Sequence, residues 1–422
     1  MNDHGTKRFG YADYLKISVL GFALTALWSS LHSIILPLWL LQYVDESQNN
    51  TYLGLLTFTG LILAMVTQPI AGSLSDRSSL SWGRRRPFVL LGAILALILL
   101  PGIGLANSYA IIFIVYCALQ ISCNIAQAPY QALIPDLIPQ NRRGLASGVK
   151  STLEVLGGVA LVRLTAYLMG CYFDGGGESW LWISLGALII VLLAATAITV
   201  LTVKERPGTG VSESPSVITP NSLKIDVRKN HNFSWFLASR ALLGIPGVVL
   251  QIFASYYLMD VVGIANPAAA AGNLLVTVGI CLLVTVYPAG RLSDRIGRKP
   301  IVIASGLLGA VGILLLFFSR NYIHIMLSGA ILGIANGAML SSSWALATDL
   351  ARKGEEAKYL GLTNLAMCGG SALARLVGPV IDFFNRFNSG LGYQVMLLIC
   401  FISFVVGALL IIKIKPRSPS VS

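Results

Sequence analysis

Twelve apolar runs, each long enough to cross a bilayer, leave this chain little choice of fold. They lie near 17–43, 52–74, 87–106, 109–133, 144–170, 180–202, 233–259, 267–288, 300–318, 322–346, 358–384 and 391–412. A spanning helix needs about 20 mainly apolar residues. Inside a hydrocarbon layer the backbone N–H and C=O groups find no partners but one another, which leaves helices or closed barrels. The expected fold class is therefore all-α and integral to a membrane, with about 12 transmembrane helices. Charge content agrees: 11% of the 422 residues are charged, against about 25% in soluble domains. So few charges do not cover a water-facing surface.

The net charge of +12 raises nucleic acid as a partner, but its distribution argues against one. Of 30 Lys and Arg, 24 fall on one side of a twelve-span arrangement. These are Lys7, Arg8 and Lys16; Arg77 and Arg84 to Arg86; Arg142 and Arg143; Lys204, Arg206, Lys224, Arg228 and Lys229; Arg291, Arg295, Arg298 and Lys299; Arg352, Lys353 and Lys358; and Lys413, Lys415 and Arg417. Arg320 and Arg386 fall on the other side, where Asp45, Glu46, Asp174, Glu178 and Asp260 also lie. This positive-inside bias places both termini in the cytoplasm. A missed span would scramble it, so it also supports the count. The expected surroundings are a lipid bilayer, with no nucleic acid and no metal or cofactor. The first run is too long for a cleavable signal peptide and lacks a small-residue cleavage site. Cys117, Cys123, Cys171, Cys281, Cys368 and Cys400 lie in or beside spans without metal-ligand spacing, and read as small core residues.

A basic loop occurs twice. Residues 72–88 read G-S-L-S-D-R-S-S-L-S-W-G-R-R-R-P-F, and residues 290–300 read G-R-L-S-D-R-I-G-R-K-P. Asp76 and Asp294 are 218 positions apart, about half the chain. A second pair of markers, Asp136 before Arg143-Gly144-Leu145 and Asp349 before Leu360-Gly361-Leu362, recurs at 213. A unit repeating at half the chain length implies two related halves, here two pseudo-symmetric six-helix bundles. Residues 204–232 are polar and hold three prolines, which reads as a linker. The expected division is an N-terminal bundle over 1–203, a cytoplasmic linker over 204–232 and a C-terminal bundle over 233–422.

These loops resemble the signature G-x-x-x-D-R-x-G-R-R/K-P of the major facilitator superfamily. The longer first copy, with Arg84-Arg85-Arg86-Pro87-Phe88 and Gln68-Pro69 upstream, is similar to the sucrose and glycoside symporters (the glycoside–pentoside–hexuronide type). So is the stretch with Asn124, Gln127, Pro129, Ala132-Leu133 and Asp136-Leu137. The resemblance implies transport by alternating access, with helices one, four, seven and ten around a central cavity. It also implies that Asp76 and Asp294 dock near the starts of helices eleven and five when the inside is shut, with Arg77, Arg143 and Arg295 in the same gate. Glycines 72 and 290 are expected to permit close helix approach. One departure stands out. The sucrose symporters carry an Asp and an Arg on helix four where this chain has Gln120 and Gln131, and an amide carries no proton at physiological pH.

Polar side chains in hydrocarbon are costly unless they face a cavity or a partner. On helix four, Gln120, Asn124, Gln127 and Gln131 share one face, suited to a neutral polyol or, more plainly, to interhelical hydrogen bonds. Trp28 and His32 are one turn apart on helix one. Gln251 on helix seven and Asn336 on helix ten are further candidate ligands, while Arg240 reads as a snorkelling side chain and Trp344 as an interfacial one. Lys150 and Glu154 are one turn apart on helix five and neutralise each other. Glu154 is the first candidate for a coupled proton. The expected function is a secondary active transporter, acting as a monomer, for a small polar solute, a sugar or glycoside foremost, with cation symport left open. No phosphate loop or catalytic cluster suggests an enzyme. The alternatives are a drug or metabolite exporter of the same superfamily and a non-transporting membrane receptor.

Overall fold

The computed structural model describes residues 10–205, 230–319, 321–351 and 355–414. Most of the 204–232 linker lies outside the described residues, as do Lys7, Arg8, Arg320, Arg352, Lys353, Lys415 and Arg417. Twelve helices are long and apolar enough to span a bilayer. They are α1 (Ala12–Leu40), α2 (Glu46–Asp76), α3 (Arg86–Leu105), α4 (Tyr109–Leu137), α5 (Arg143–Gly176), α6 (Ser179–Thr202), α7 (His231–Asp260), α8 (Pro267–Ile296), α9 (Arg298–Phe318), α10 (Tyr322–Leu350), α11 (Lys358–Asn385) and α12 (Leu391–Ile412). Among the described residues there is no strand. Side chains cap the starts of α4 and α10. Ser108 accepts from the Ile111 N–H at the start of α4, and Asn321 accepts from the His324 N–H at the start of α10, each filling one orphan donor of a first turn. These two caps are 213 positions apart.

Contacts divide the described residues into two compact units. One is drawn from Met1–Leu31 and Thr59–Ser214, the other from His32–Phe58 and Pro215–Ser422. In the first, α1 packs on α5 and α6, and α3 on α4 and α6. In the second, α7 packs on α11 and α12, and α9 on α10 and α12. Each pairing recurs six helices later, so the halves are two pseudo-symmetric bundles. The repeat reaches single atoms. A Cβ added to Gly157 on α5 would lie 2.3 Å from the Phe22 carbonyl oxygen of α1. One added to Gly370 on α11, again 213 residues on, would lie 2.2 Å from the Ala241 oxygen of α7. Both helix pairs approach so closely that only a hydrogen fits between them. Gly72 and Gly290 are different: a Cβ there meets only Ala128 Cβ at 4.0 Å and Ser341 Cβ at 3.7 Å. The close approach expected at these two positions is absent.

The two basic loops differ in form. In the first half, 77–85 is a true connection between α2 and α3. In the second, α8 runs on to Ile296 and α9 begins at Arg298, so the motif is almost wholly helical. Gly297 makes the turn alone at φ +99°, a left-handed angle that favours glycine. The stretch from Asp76 to Arg85 is five residues longer than that from Asp294 to Arg298, and this extra length opens the first copy into a loop.

The segment His32–Phe58 packs within the second unit through buried polar groups. Asp382 on α11, 3% exposed, accepts from Asn50 Nδ2 at 2.9 Å and from the Thr51 N–H at 2.6 Å. It thus caps the first turn of α2 from another helix, where an anion is also favoured by the helix dipole. Tyr393 accepts from Asn50 and donates to Asp260. Tyr256 donates to the Pro37 carbonyl and Ser255 to the Ser33 carbonyl. Helix α1 widens to a π turn at Leu31–Ile35, the point where its contacts pass from one unit to the other.

The repeat makes a paired stability prediction. Gly157→Ala and Gly370→Ala should each destabilise by about 1–3 kcal/mol, since backbone oxygens obstruct the new methyl. Gly148→Ala and Gly361→Ala sit on the same two helices with nothing within 4 Å, and should melt no lower than the parent. Thermal unfolding of the four variants in detergent checks this, and equal melting temperatures for all four would overturn it.

Candidate functional site

The loop ends carry the first cluster. In the first unit Arg85, buried despite its charge, ties three elements together. Its guanidinium pairs with Asp76 at the end of α2, donates to Asp136 near the end of α4 at 2.9 Å, and donates to Ser75 Oγ at 2.6 Å. Arg84 donates to the same Asp136 oxygen at 2.8 Å. Glu205, just past α6, accepts from the Arg85 and Arg86 N–H groups at 2.7 and 3.0 Å, capping α3 from a distance. In the second unit Arg298 pairs with Asp349 at 2.6 Å. Arg298 is 213 residues beyond Arg85, and Asp349 is 213 beyond Asp136, so one ion pair is built twice. Asp76, whose partner here is Arg85, closes a helix C-terminus where an acid is disfavoured. Its counterpart Asp294 is exposed and has no ion-pair partner among the described residues. Arg77 and Arg295 are exposed. Arg143 donates to the Ile138 and Pro135 carbonyls at 3.1 and 2.7 Å, closing the α4–α5 turn.

A chain of amides runs through the first unit. Gln68 on α2 donates to Asn124 Oδ1 at 2.7 Å. Asn124 donates to the Gln120 carbonyl and side-chain oxygens at 2.7 and 3.2 Å, and Gln120 donates to Tyr116 Oη at 2.8 Å. Trp28 stands edge-on to the Tyr116 ring, with centroids 6.1 Å apart. Gln120 and Asn124 are 6% and 2% exposed, so in this structure their bonds are spent within the bundle. Gln127 is half-buried and Gln131 exposed, one and two turns nearer the basic loops. Beside them α1, α4 and α5 meet at Gly21. Lys150 Nζ lies 3.6 Å from Glu154 Oε1 and 5.3 Å from the Tyr130 ring centroid. Tyr130 donates to the Ser18 carbonyl. A Cβ on Gly21 would come within 2.5 Å of the Tyr130 hydroxyl and 2.9 Å of the Glu154 carboxylate. Glu154 is therefore held against α1 next to a phenol, with its charge balanced by one lysine.

In the second unit α7, α8 and α10 enclose a crevice of about 70 Å³. Gln251 and Asn336 are the polar side chains in an otherwise apolar wall that includes Leu250, Leu274, Val278 and Leu332. Ligand sites are commonly about 300–1,000 Å³, so the crevice by itself is smaller than one. A carbonamide can both donate and accept hydrogen bonds without carrying a charge. His32 sits in the π turn of α1, 8% exposed. Trp28 belongs to the other unit, so the turn that separates these neighbours in sequence also separates their contacts.

Several of these residues were not singled out from the sequence. Asp136 and Asp349 stood out there as repeat markers, without their arginines. Asp382 and Glu205 lie at a span end and past one, where an acid signals nothing by itself. Arg240, read as snorkelling, is instead 5% exposed. Among the described residues no group of three or more His, Cys, Asp or Glu is arranged to hold a metal.

Comparison with known proteins bears on the same features. The family model described as MFS/sugar transport protein matches residues 19–415. A lactose permease of Lactobacillus helveticus is 24% identical over 411 residues, an alignment that takes in 91% of this chain and 62% of the permease. The chain therefore spans under two thirds of that relative. The multidrug resistance protein MdtG of Enterobacter lignolyticus is 25% identical over 329 residues, 77% of this chain and 75% of MdtG. The crystal structure of a D-xylose–proton symporter superposes with a TM-score of 0.74 at 18% identity, covering 96% of this chain and 98% of the symporter. With twelve spans, two related bundles and a family match over nearly its whole length, the chain belongs to the MFS/sugar transport protein family of the major facilitator superfamily.

Proposed function

We propose that the protein is a secondary active transporter that moves a sugar or glycoside across the cytoplasmic membrane by alternating access. The observation that carries this reading is the uncharged wall of Gln251 and Asn336 in the apolar crevice of the second unit. Amides both donate and accept, which suits hydroxyl groups that do the same. Support from relatives is of the same kind, since permeases named for lactose align with most of this chain. In this reading the basic loops face the cytoplasm and no bond of the solute is changed. Reconstituted into liposomes, the protein should take up one or more members of a neutral mono- and disaccharide panel. Gln251→Ala and Asn336→Ala should each raise the half-saturation concentration by roughly 5- to 100-fold, the loss of one to two hydrogen bonds. Failure of every sugar to enter or compete would sink the sugar assignment.

The coupling ion in this reading is a proton carried at Glu154, the carboxylate wedged against α1 beside Tyr130 and Lys150. An inward-directed proton gradient does work only if a group binds the proton on one side and releases it on the other. Glu154→Gln should therefore abolish the stimulation of uptake by a pH gradient while leaving exchange of labelled for unlabelled solute. Stimulation that survives the substitution would assign the proton elsewhere.

The gate consists, in our proposal, of the acids at the ends of α2 and α8. Asp294 is exposed and free of ion pairs among the described residues, so it is available to a partner in another conformation, whereas Asp76 is held by Arg85. Asp294→Asn should shift the thiol accessibility of cysteines introduced at the basic loop ends by several-fold relative to the parent. An unchanged labelling rate would remove Asp294 from the gate.

A second reading, export of an apolar or amphipathic compound, is favoured by the apolar residues that make up most of the crevice wall and by the alignment with MdtG. Competition of sugar uptake by hydrophobic cations, with no effect from other sugars, would support it over the first.

A further inference from the structure

Arg240 is a buried cation with no paired anion among the described residues. It lies nine residues into α7, roughly 13 Å from the helix start at 1.5 Å per residue, and is 5% exposed. Nη1 donates to Ser343 Oγ at 2.6 Å, Nη2 to the Met367 sulfur at 3.2 Å, and the guanidinium lies 5.5 Å from the Trp344 ring centroid. Nε is buried and has no hydrogen-bond partner among the described residues. No carboxylate of the described residues pairs with this side chain. A guanidinium offers five N–H donors and cannot shed its proton, so most of its hydrogen-bonding capacity is unspent. A charge taken out of water with neither counter-ion nor saturated hydrogen bonding is costly, and ionisable groups kept at that cost inside a membrane mark ligand pathways.

The position of Arg240 points to what it waits for. Arg240, Gly244, Gly247 and Gln251 share one face of α7, and Ser343 and Asn336 share one face of α10. A Cβ on Gly247 would lie 3.9 Å from Asn336 Oδ1, and one on Gly244 would meet nothing within 4 Å. The two helices thus leave open space between an amide pair, Gln251 with Asn336, and a cationic pair, Arg240 with Ser343. Asn336 and Ser343 are seven residues apart, roughly 10 Å along the axis.

We propose that Arg240, with Ser343 and Trp344, forms an oxyanion-binding subsite on the solute path, for a carboxylate or phosphate group. The subsite lies about 10 Å from the amide pair, a separation that one elongated solute bridges if it carries hydroxyls at one end and the anion at the other. The planar fork of arginine matches both oxyanions, and Ser343 adds a neutral donor. This rests on the reading that α7 and α10 line the solute path. It extends that reading, since the amide wall alone calls for a neutral compound.

The test uses the full chain purified in detergent, with melting temperature and tryptophan fluorescence as readouts. The probes are glucose, gluconate, glucose 6-phosphate and inorganic phosphate. Gluconate and glucose 6-phosphate should bind at least ~10-fold more tightly than glucose, the value of one charge-assisted hydrogen bond of about 1.5–3 kcal/mol. In Arg240→Gln that preference should collapse to within about 2-fold, the protein being judged folded by a cooperative melt. If that variant does not fold, Arg240→Lys keeps the charge and loses the fork, and should cut the preference several-fold. Inorganic phosphate acting alone as strongly as glucose 6-phosphate would make the natural ligand a free anion, while a need for the sugar moiety would place the anion on the solute. Oxyanions binding no more tightly than glucose, or a preference unchanged in both variants, would overturn the subsite. Neutral-sugar uptake in that case leaves the transport reading intact, whereas oxyanion binding without any sugar uptake removes the sugar assignment and keeps the subsite.

Discussion

A hydrocarbon surrounding that offers no hydrogen bonds governs this molecule. It makes every spanning segment a helix, because only a helix satisfies its own backbone. It also makes every buried polar side chain a decision, since each must find a partner, line a cavity or be exchanged for an apolar one. The partners are legible in the structure. Amides on α4 bond to one another and to Gln68 and Tyr116. Asp382 saturates itself on Asn50 and the Thr51 amide. Lys150 and Glu154 face each other. Arg240 stands apart from these paired groups as a buried guanidinium with an unbonded Nε and no carboxylate partner among the described residues.

The duplication is written in ion pairs as well as in helix packing. Arg85 with Asp136 and Arg298 with Asp349 tie the first residues of α3 and α9 to the ends of α4 and α10. Both glycine contacts, both N-caps and both bridges keep the same 213-residue spacing. The acids of the repeated motif depart from it, at 218, because the first copy has extra residues that the second replaces with a single glycine turn. The copies have diverged in charge balance too. The first half spends Arg85 on Asp76 and adds Glu205, and the second leaves Asp294 to solvent.

Much of the fold was open to reading from sequence alone, because span length, loop charge and internal repetition are local or periodic signals. Span ends agree with the helices to within a few residues at most positions, and twelve was the right number. What escaped depends on pairing across long sequence distances. Nothing local to Asp382 says that it caps α2, more than 300 residues earlier. Arg240 resembles any arginine two or three turns from a span end, where snorkelling is the usual outcome. Only its surroundings, Ser343, Met367 and Trp344 from two other helices, show that it points inward. Glycine is similarly ambiguous: Gly72 and Gly157 look alike in sequence, yet a methyl group fits at one and not at the other.

The π turn in α1 marks a boundary. Residues 31–35 break the i to i−4 ladder of a helix whose earlier residues pack with α5 and α6 and whose later ones pack with α7. One covalent rod is thereby shared between two sets of contacts, with a π turn at the handover. The turn is a local departure from α-helical bonding at the boundary between the two sets, and His32 lies within it.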